Sequence, residues 1–150
     1  MASWSMESVL EADVAAADVY RCYADPSTWG AWAHNTRWGR ARGPLRPGAI
    51  VDVRVASYPF TYAVRMLDVV EGRRIVCEVR PVGVRIVSTY DVERTAGGTT
   101  RLHHTIEVSG RLERGYRLLR PRYTSLLEQE TRTLADLVDR DGPDARRHAA

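Results

Sequence analysis

The rhythm of apolar and polar positions changes twice along the chain. Between Trp4 and Glu11 it alternates, with Trp4, Met6, Ser8 and Leu10 set against Ser5, Glu7 and Glu11, which predicts a half-buried first strand. The Ala-rich run from Val14 to Tyr23 puts Val19, Cys22 and Tyr23 on one helical face, with Asp13 as the expected N-cap. Asp25-Pro26 restarts the chain, because the residue before a proline disfavours helix while proline suits a first helical turn. A second short helix, Pro26 to Ala33, carries Trp29 and Trp32.

From Thr36 to Ser109 the period shortens to two, in β-rich runs separated by turn signals such as Gly43-Pro-Leu-Arg-Pro-Gly48 and Ala96-Gly-Gly98. The runs are Thr36 to Arg42, Ile50 to Ser57, Thr61 to Val70, Arg74 to Arg80, Val84 to Arg94 and Thr99 to Ser109. In the last two, Val84, Ile86, Ser88, Tyr90 and Val92, then Leu102, His104, Ile106 and Val108, share one parity and predict a covered face. With the first strand the expected antiparallel sheet has seven strands. Beyond Gly110 the period becomes helical: Leu112, Tyr116, Leu119, Tyr123, Leu126, Leu127, Glu130, Leu134, Leu137 and Val138 form a stripe spaced three and four apart. This helix is expected to end near Asp139, with a kink or break at Pro121. Residues 141–150 have no periodicity and are expected to be a disordered tail, leaving one domain over residues 1–140.

This order of elements is α+β, with an amphipathic helix covering the concave face of a curved antiparallel sheet. The chain resembles the START/Bet v 1-like (SRPBCC) superfamily, in particular its polyketide cyclase/dehydrase-like bacterial members, over roughly Trp4 to Asp139. The resemblance is carried by Ala15 to Tyr23 followed by Asp25-Pro-Ser-Thr-Trp-Gly-Ala-Trp32, the Gly43 to Gly48 turn, Val70-Glu-Gly-Arg-Arg-Ile75, Gly97-Gly-Thr-Thr-Arg-Leu102 with Gly110 beyond it, and the final helix. It implies a helix-grip fold with a cavity between long helix and sheet for an apolar ligand such as a lipid, polyketide, quinone, sterol or hormone. The implied activity is that of a polyketide cyclase/dehydratase-type enzyme. A non-catalytic carrier or sensor of the same kind of ligand is the alternative.

Composition narrows the classes further. The 150 residues are 44% hydrophobic and 27% charged, an ordinary globular mix, and a chain of this length removes roughly 70% of its unfolded surface from water without disulfides or metal. All 22 basic residues are arginine against 19 acidic ones, and the net +3 is too small to imply nucleic acid. Cys22 and Cys77 fit no zinc or redox spacing and read as thiols in a reducing compartment. There is no signal-peptide pattern and no long apolar run, so the expectation is a cytoplasmic monomer or homodimer with no membrane span. Phosphate-loop, HExxH and GxSxG motifs are missing, and no cofactor or metal is implied.

Candidate chemistry sits mainly on the inward parity. His104, between Leu102 and Ile106, reads either as an acid, base or donor to a ligand carbonyl or as a core histidine bonded to a neighbour. Glu130 interrupts the apolar stripe and reads as a buried carboxylate with a raised pKa or as the stripe's edge. Tyr62, Tyr90, Tyr116 and Tyr123 place phenols among the apolar residues Val64, Met66, Ile86, Ile106 and Leu127, with Ser88 beside them, a mixture suited to a ligand pocket. Trp32 is expected in the core, with Trp29 or Trp38 nearer a cavity entrance. The resemblance also implies a catalytic Arg65, at a place like that of the pocket arginine of aromatase/cyclases, although local parity turns it outward unless a bulge intervenes. Finally, Arg111, Arg114 and Arg117 read as a solvated face or as a docking patch for an acidic partner, with an acyl carrier protein the natural one for a tethered polyketide.

Overall fold

The computed structural model describes residues 2–33, 35–56 and 59–148, with side chains to residue 140. Strand β1 (Ser3–Ala12) is followed by helix α1 (Ala16–Ala24), a one-turn 3₁₀ helix (Pro26–Thr28) and α2 (Trp29–Trp32). Strands β2 (Thr36–Ala41), β3 (Ile50–Val55), β4 (Thr61–Val70), β5 (Arg74–Val79), β6 (Arg85–Arg94) and β7 (Thr100–Ser109) come next, then α3 (Glu113–Arg117) and α4 (Arg120–His148). The seven strands form one antiparallel sheet in the order β1-β7-β6-β5-β4-β3-β2. Its inner face receives α4 and the short helices, which is the expected helix-grip architecture.

Two boundaries differ from the sequence reading. Asp13 does not cap α1; the helix starts after Ala15, without a side-chain cap. The Thr100 hydroxyl takes the carbonyl of Val14 at 2.6 Å and holds the chain extended there. Asp25 caps the next turn instead, accepting from the Ser27 backbone N–H at 3.0 Å. The long helix does not stop near Asp139 but continues to His148; the tail expected over residues 141–150 lies outside the residues whose side chains are described. Pro121 behaves as its chemistry demands. The helical stretch breaks at Leu118-Leu119 and restarts at Arg120, so the proline falls in a first turn, where its missing N–H has no partner to lose.

Cross-strand register fixes which side chains share the inner face. One row runs Met6, Ile106, Ser88, Cys77, Met66 across β1, β7, β6, β5 and β4. The adjacent row runs Ser8, His104, Tyr90, Ile75. Packing on this face splits into two clusters. The larger joins Val19, Tyr23, Trp29 and Trp32 to Val51, Met66, Ile75, Leu102, Leu134 and Val138. The smaller joins Trp4, Met6, Val84, Val108 and Leu127, with Ile86, Ile106, Tyr116 and Tyr123 leaning on it.

Candidate functional site

In the larger cluster the inner face closes over a chain of buried polar groups. His104 is fully buried, with Nε2 at 2.7 Å from the Tyr23 hydroxyl and Nδ1 at 3.2 Å from Glu130 Oε1. Burial, reinforced by the charge of Glu130, holds the Tyr23 phenol protonated well above its ordinary range. The Tyr23 hydroxyl also reaches the Asp91 carbonyl at 3.5 Å, so the phenol, the imidazole and the Glu130 carboxyl form one buried hydrogen-bonded chain. Glu130 is 6% exposed, which settles it as a buried group and not the stripe's edge. Around this chain Tyr23, Trp32 and Tyr90 pack against the imidazole at ring separations of 4.9–6.1 Å. Trp32 is tied in place by its indole N–H on the Thr28 hydroxyl at 3.0 Å.

Val84, just before β6, and Val92 within it are buried, whereas Ile86, Ser88 and Tyr90 between them are half-buried; Ile106 on β7 is half-buried as well. Tyr62 on β4 and Tyr116 and Tyr123 on the helical side share that state. Tyr90 lies deep enough that burial, with Glu130's charge added, drives its phenol well above the ordinary range, yet part of its surface is uncovered. Ser88 and Tyr90 are two apart on β6, so both hydroxyls stand on its inner face. Cys77, next in the row, is buried, and its thiol is pushed up to about 12 by the same desolvation.

Apart from Arg65, the expected site residues sort into two groups. Tyr62, Ile86, Ser88, Tyr90, Ile106, Tyr116 and Tyr123 are half-buried. His104, Glu130, Val64, Met66, Leu127, Trp29 and Trp32 are buried. Trp29 is not at an entrance: its indole donates to the Tyr23 carbonyl at 3.2 Å inside the core, and Trp38 is the exposed one, under the Arg40 guanidinium. His104 is no free base, since both ring nitrogens are engaged.

Arg65 is not in the site. It pairs with Glu78 on the outer face and is exposed, and the β4 bulge falls after Met66, too late to turn it inward. Glu78 itself is held on that outer face by Arg80 and Arg85, which keep its carboxyl below the usual range. Tyr23 is the residue the sequence reading missed as part of the site. Its signal was its place on the inward face of α1, where a phenol, unlike Val19, needs a partner. A surface groove of about 280 Å³ lies between β1 and α4, lined by Glu7, Ser8, Glu128, Thr131 and Arg132 among others.

A seven-stranded antiparallel sheet whose inner face receives a long C-terminal helix defines the helix-grip class of folds. Within that class the chain belongs to the family described as polyketide cyclase / dehydrase and lipid transport, whose model matches residues 3–139. No curated protein matches the chain in sequence. Among solved structures it is similar to the Zhui aromatase/cyclase from Streptomyces sp. R1128, with a TM-score of 0.77, 12% identity and coverage of 93% of this chain and 96% of that one. A START superfamily protein from Mycobacterium smegmatis gives 0.73 at 11% identity, covering 91% and 97%. Truncated norcoclaurine synthase from Thalictrum flavum gives 0.69 at 16% identity, covering 91% and 94%. Among the described residues no helix is long and apolar enough to cross a membrane.

Proposed function

We propose that the chain is a cofactor-independent cyclase/dehydratase of polyketide type, closing a flexible carbonyl compound held between β6, β7 and α4. The observation that carries this reading is Tyr90: a phenol kept protonated by burial, half-buried on the inner face of the sheet, with Ser88 beside it on β6. Such a phenol is a preorganised donor to a carbonyl oxygen in a site of low dielectric, where one donor is worth about a hundredfold or more in rate. In an aldol closure the substrate's enol carbon bonds to the carbonyl carbon, and the enol proton ends on the new hydroxyl, which then leaves as water with an α-proton. The protein supplies the donor and the shape. The buried Tyr23–His104–Glu130 chain fixes the floor on which Tyr90 rests.

One observation favours the carrier alternative. Both nitrogens of His104 are occupied, so no imidazole is available to take a proton from a ligand. The two readings separate when purified protein is incubated with a small-molecule extract of a producing cell and bound and free compounds are compared by mass spectrometry. A cyclase yields a compound lighter by water that appears only with protein present, and Tyr90→Phe binds the precursor but forms that product at least about a hundredfold more slowly. A bound compound identical to the free pool, with no change on Tyr90→Phe, identifies a carrier.

A further inference from the structure

Antiparallel register puts three connections at one end of the sheet: the β3–β4 turn, the β5–β6 turn and the segment leaving β7 for α4. Large apolar side chains are exposed on all three. Phe60 stands on the first, Val82 on the second at 88% exposed, and Leu112, Leu118 (83% exposed) and Leu119 on the third. Gly83 and Gly110 bind the last two connections tightly. Both have positive φ, a side chain at Gly110 would come within 2.7 Å of the Gly83 carbonyl, and one at Gly83 would strike Leu112. The Trp4 indole N–H on the Glu113 carbonyl at 3.0 Å anchors α3 to β1.

The same end carries Arg111, Arg114, Arg117, Arg120 and Arg122, all exposed. Carboxylates there are already matched: Glu113 is buried and paired with Arg117 at 3.3 Å, and Glu78 with Arg80 and Arg85. We propose that this end of the molecule docks on an anionic phospholipid surface, its apolar tips entering the acyl boundary and its arginines meeting lipid phosphates. Val82 and Leu118, more than four-fifths free, present no polar atom for a protein partner to read, and a bilayer dissolves them without shape complementarity. Guanidinium forks suit phosphate oxygens, and arginines beside inserted apolar residues are the composition of interfacial binding. Tyr116 and Tyr123, which are half-buried, lead inward from this rim. An apolar compound in the bilayer would therefore reach the site without crossing water; that clause rests on the proposed function, whereas the docking does not.

The test is co-sedimentation of the full chain with phosphatidylcholine vesicles and with vesicles containing phosphatidylglycerol. The expected result is partitioning at least about tenfold stronger into the anionic vesicles, weakened by salt. The double variant Val82→Asp, Leu118→Asp should lose at least about tenfold of that binding with an unchanged unfolding midpoint. Wild type that ignores anionic vesicles, equal binding to neutral ones, or a double variant that binds as well as wild type each overturns the proposal. Salt-sensitive binding to a purified acyl carrier protein with no vesicle binding also overturns it and assigns the arginines to that partner.

Discussion

His103 and His104 are consecutive on β7, and their surroundings show how differently the two faces of one strand are used. His103 points outward, 2.6 Å from Glu7 across the strand pair, exposed to solvent and to screening. His104 points inward, sealed between Tyr23 and Glu130. The inner face then divides again. Around His104 both ring nitrogens have partners and three aromatic rings pack, whereas Ser88 and Ile106, the next inward pair along β6 and β7, are half-buried. Closely packed, fully bonded structure resists change in shape, and an uncovered stretch beside it is where a ligand can be held. The lesson is that the residue with the most suggestive chemistry has both ring nitrogens engaged, whereas the residue opposite it across the sheet, Tyr90, is only half-buried.

That division predicts opposite behaviour of variants in the two regions. The largest effect belongs to His104→Ala, which strips Glu130 of its buried donor and leaves a void. Urea unfolding should show a loss of about 3–5 kcal/mol; a loss within experimental error would break the comparison. Tyr23→Phe keeps the ring and removes one donor, leaving His104 Nε2 unsatisfied, and should cost about 1–3 kcal/mol in the same assay. A subtler effect comes from pH. Burial raises the folded pKa of both Tyr23 and Tyr90, so above about 10, where unfolded phenols ionise, the native state retains protons that the unfolded state has lost. Stability from these groups is complete below that range and falls as pH rises through it. Urea midpoints measured across the alkaline range should decline, and less steeply in Tyr90→Phe; an identical slope would remove Tyr90 from the linkage.

Much of this molecule was legible in its sequence because strand alternation and helical periodicity report burial directly. The seven strands, the one-turn segment and break before Pro121 and the inward parity of Ile86, Ser88, Tyr90, His104 and Ile106 all follow from it. Parity also turned Arg65 outward, against the role implied by resemblance, and the structure agrees with parity. What parity cannot report is the degree of covering within one face, because that depends on how far α4 and the short helices reach over the sheet. Hence Met66 and Ser88, in one row, have different fates. Nor does it report pairing across elements: Tyr23 and Glu130 each sit on a helical face, and only their meeting at His104 shows that both are spoken for.

The account turns on the claim that the inner face is open at Ile106 and Ser88, and filling that space tests it most directly. Ile106→Phe adds volume there without adding a polar atom, and two quantities can be followed together: the urea midpoint, and binding of a neutral apolar dye such as Nile red. If the space exists, the larger side chain is accommodated at a cost below about 1 kcal/mol and dye binding is lost. If the region is packed as tightly as the surroundings of His104, the variant is overpacked by about 1–3 kcal/mol, dye binding is unchanged, and the assignment of the site is contradicted.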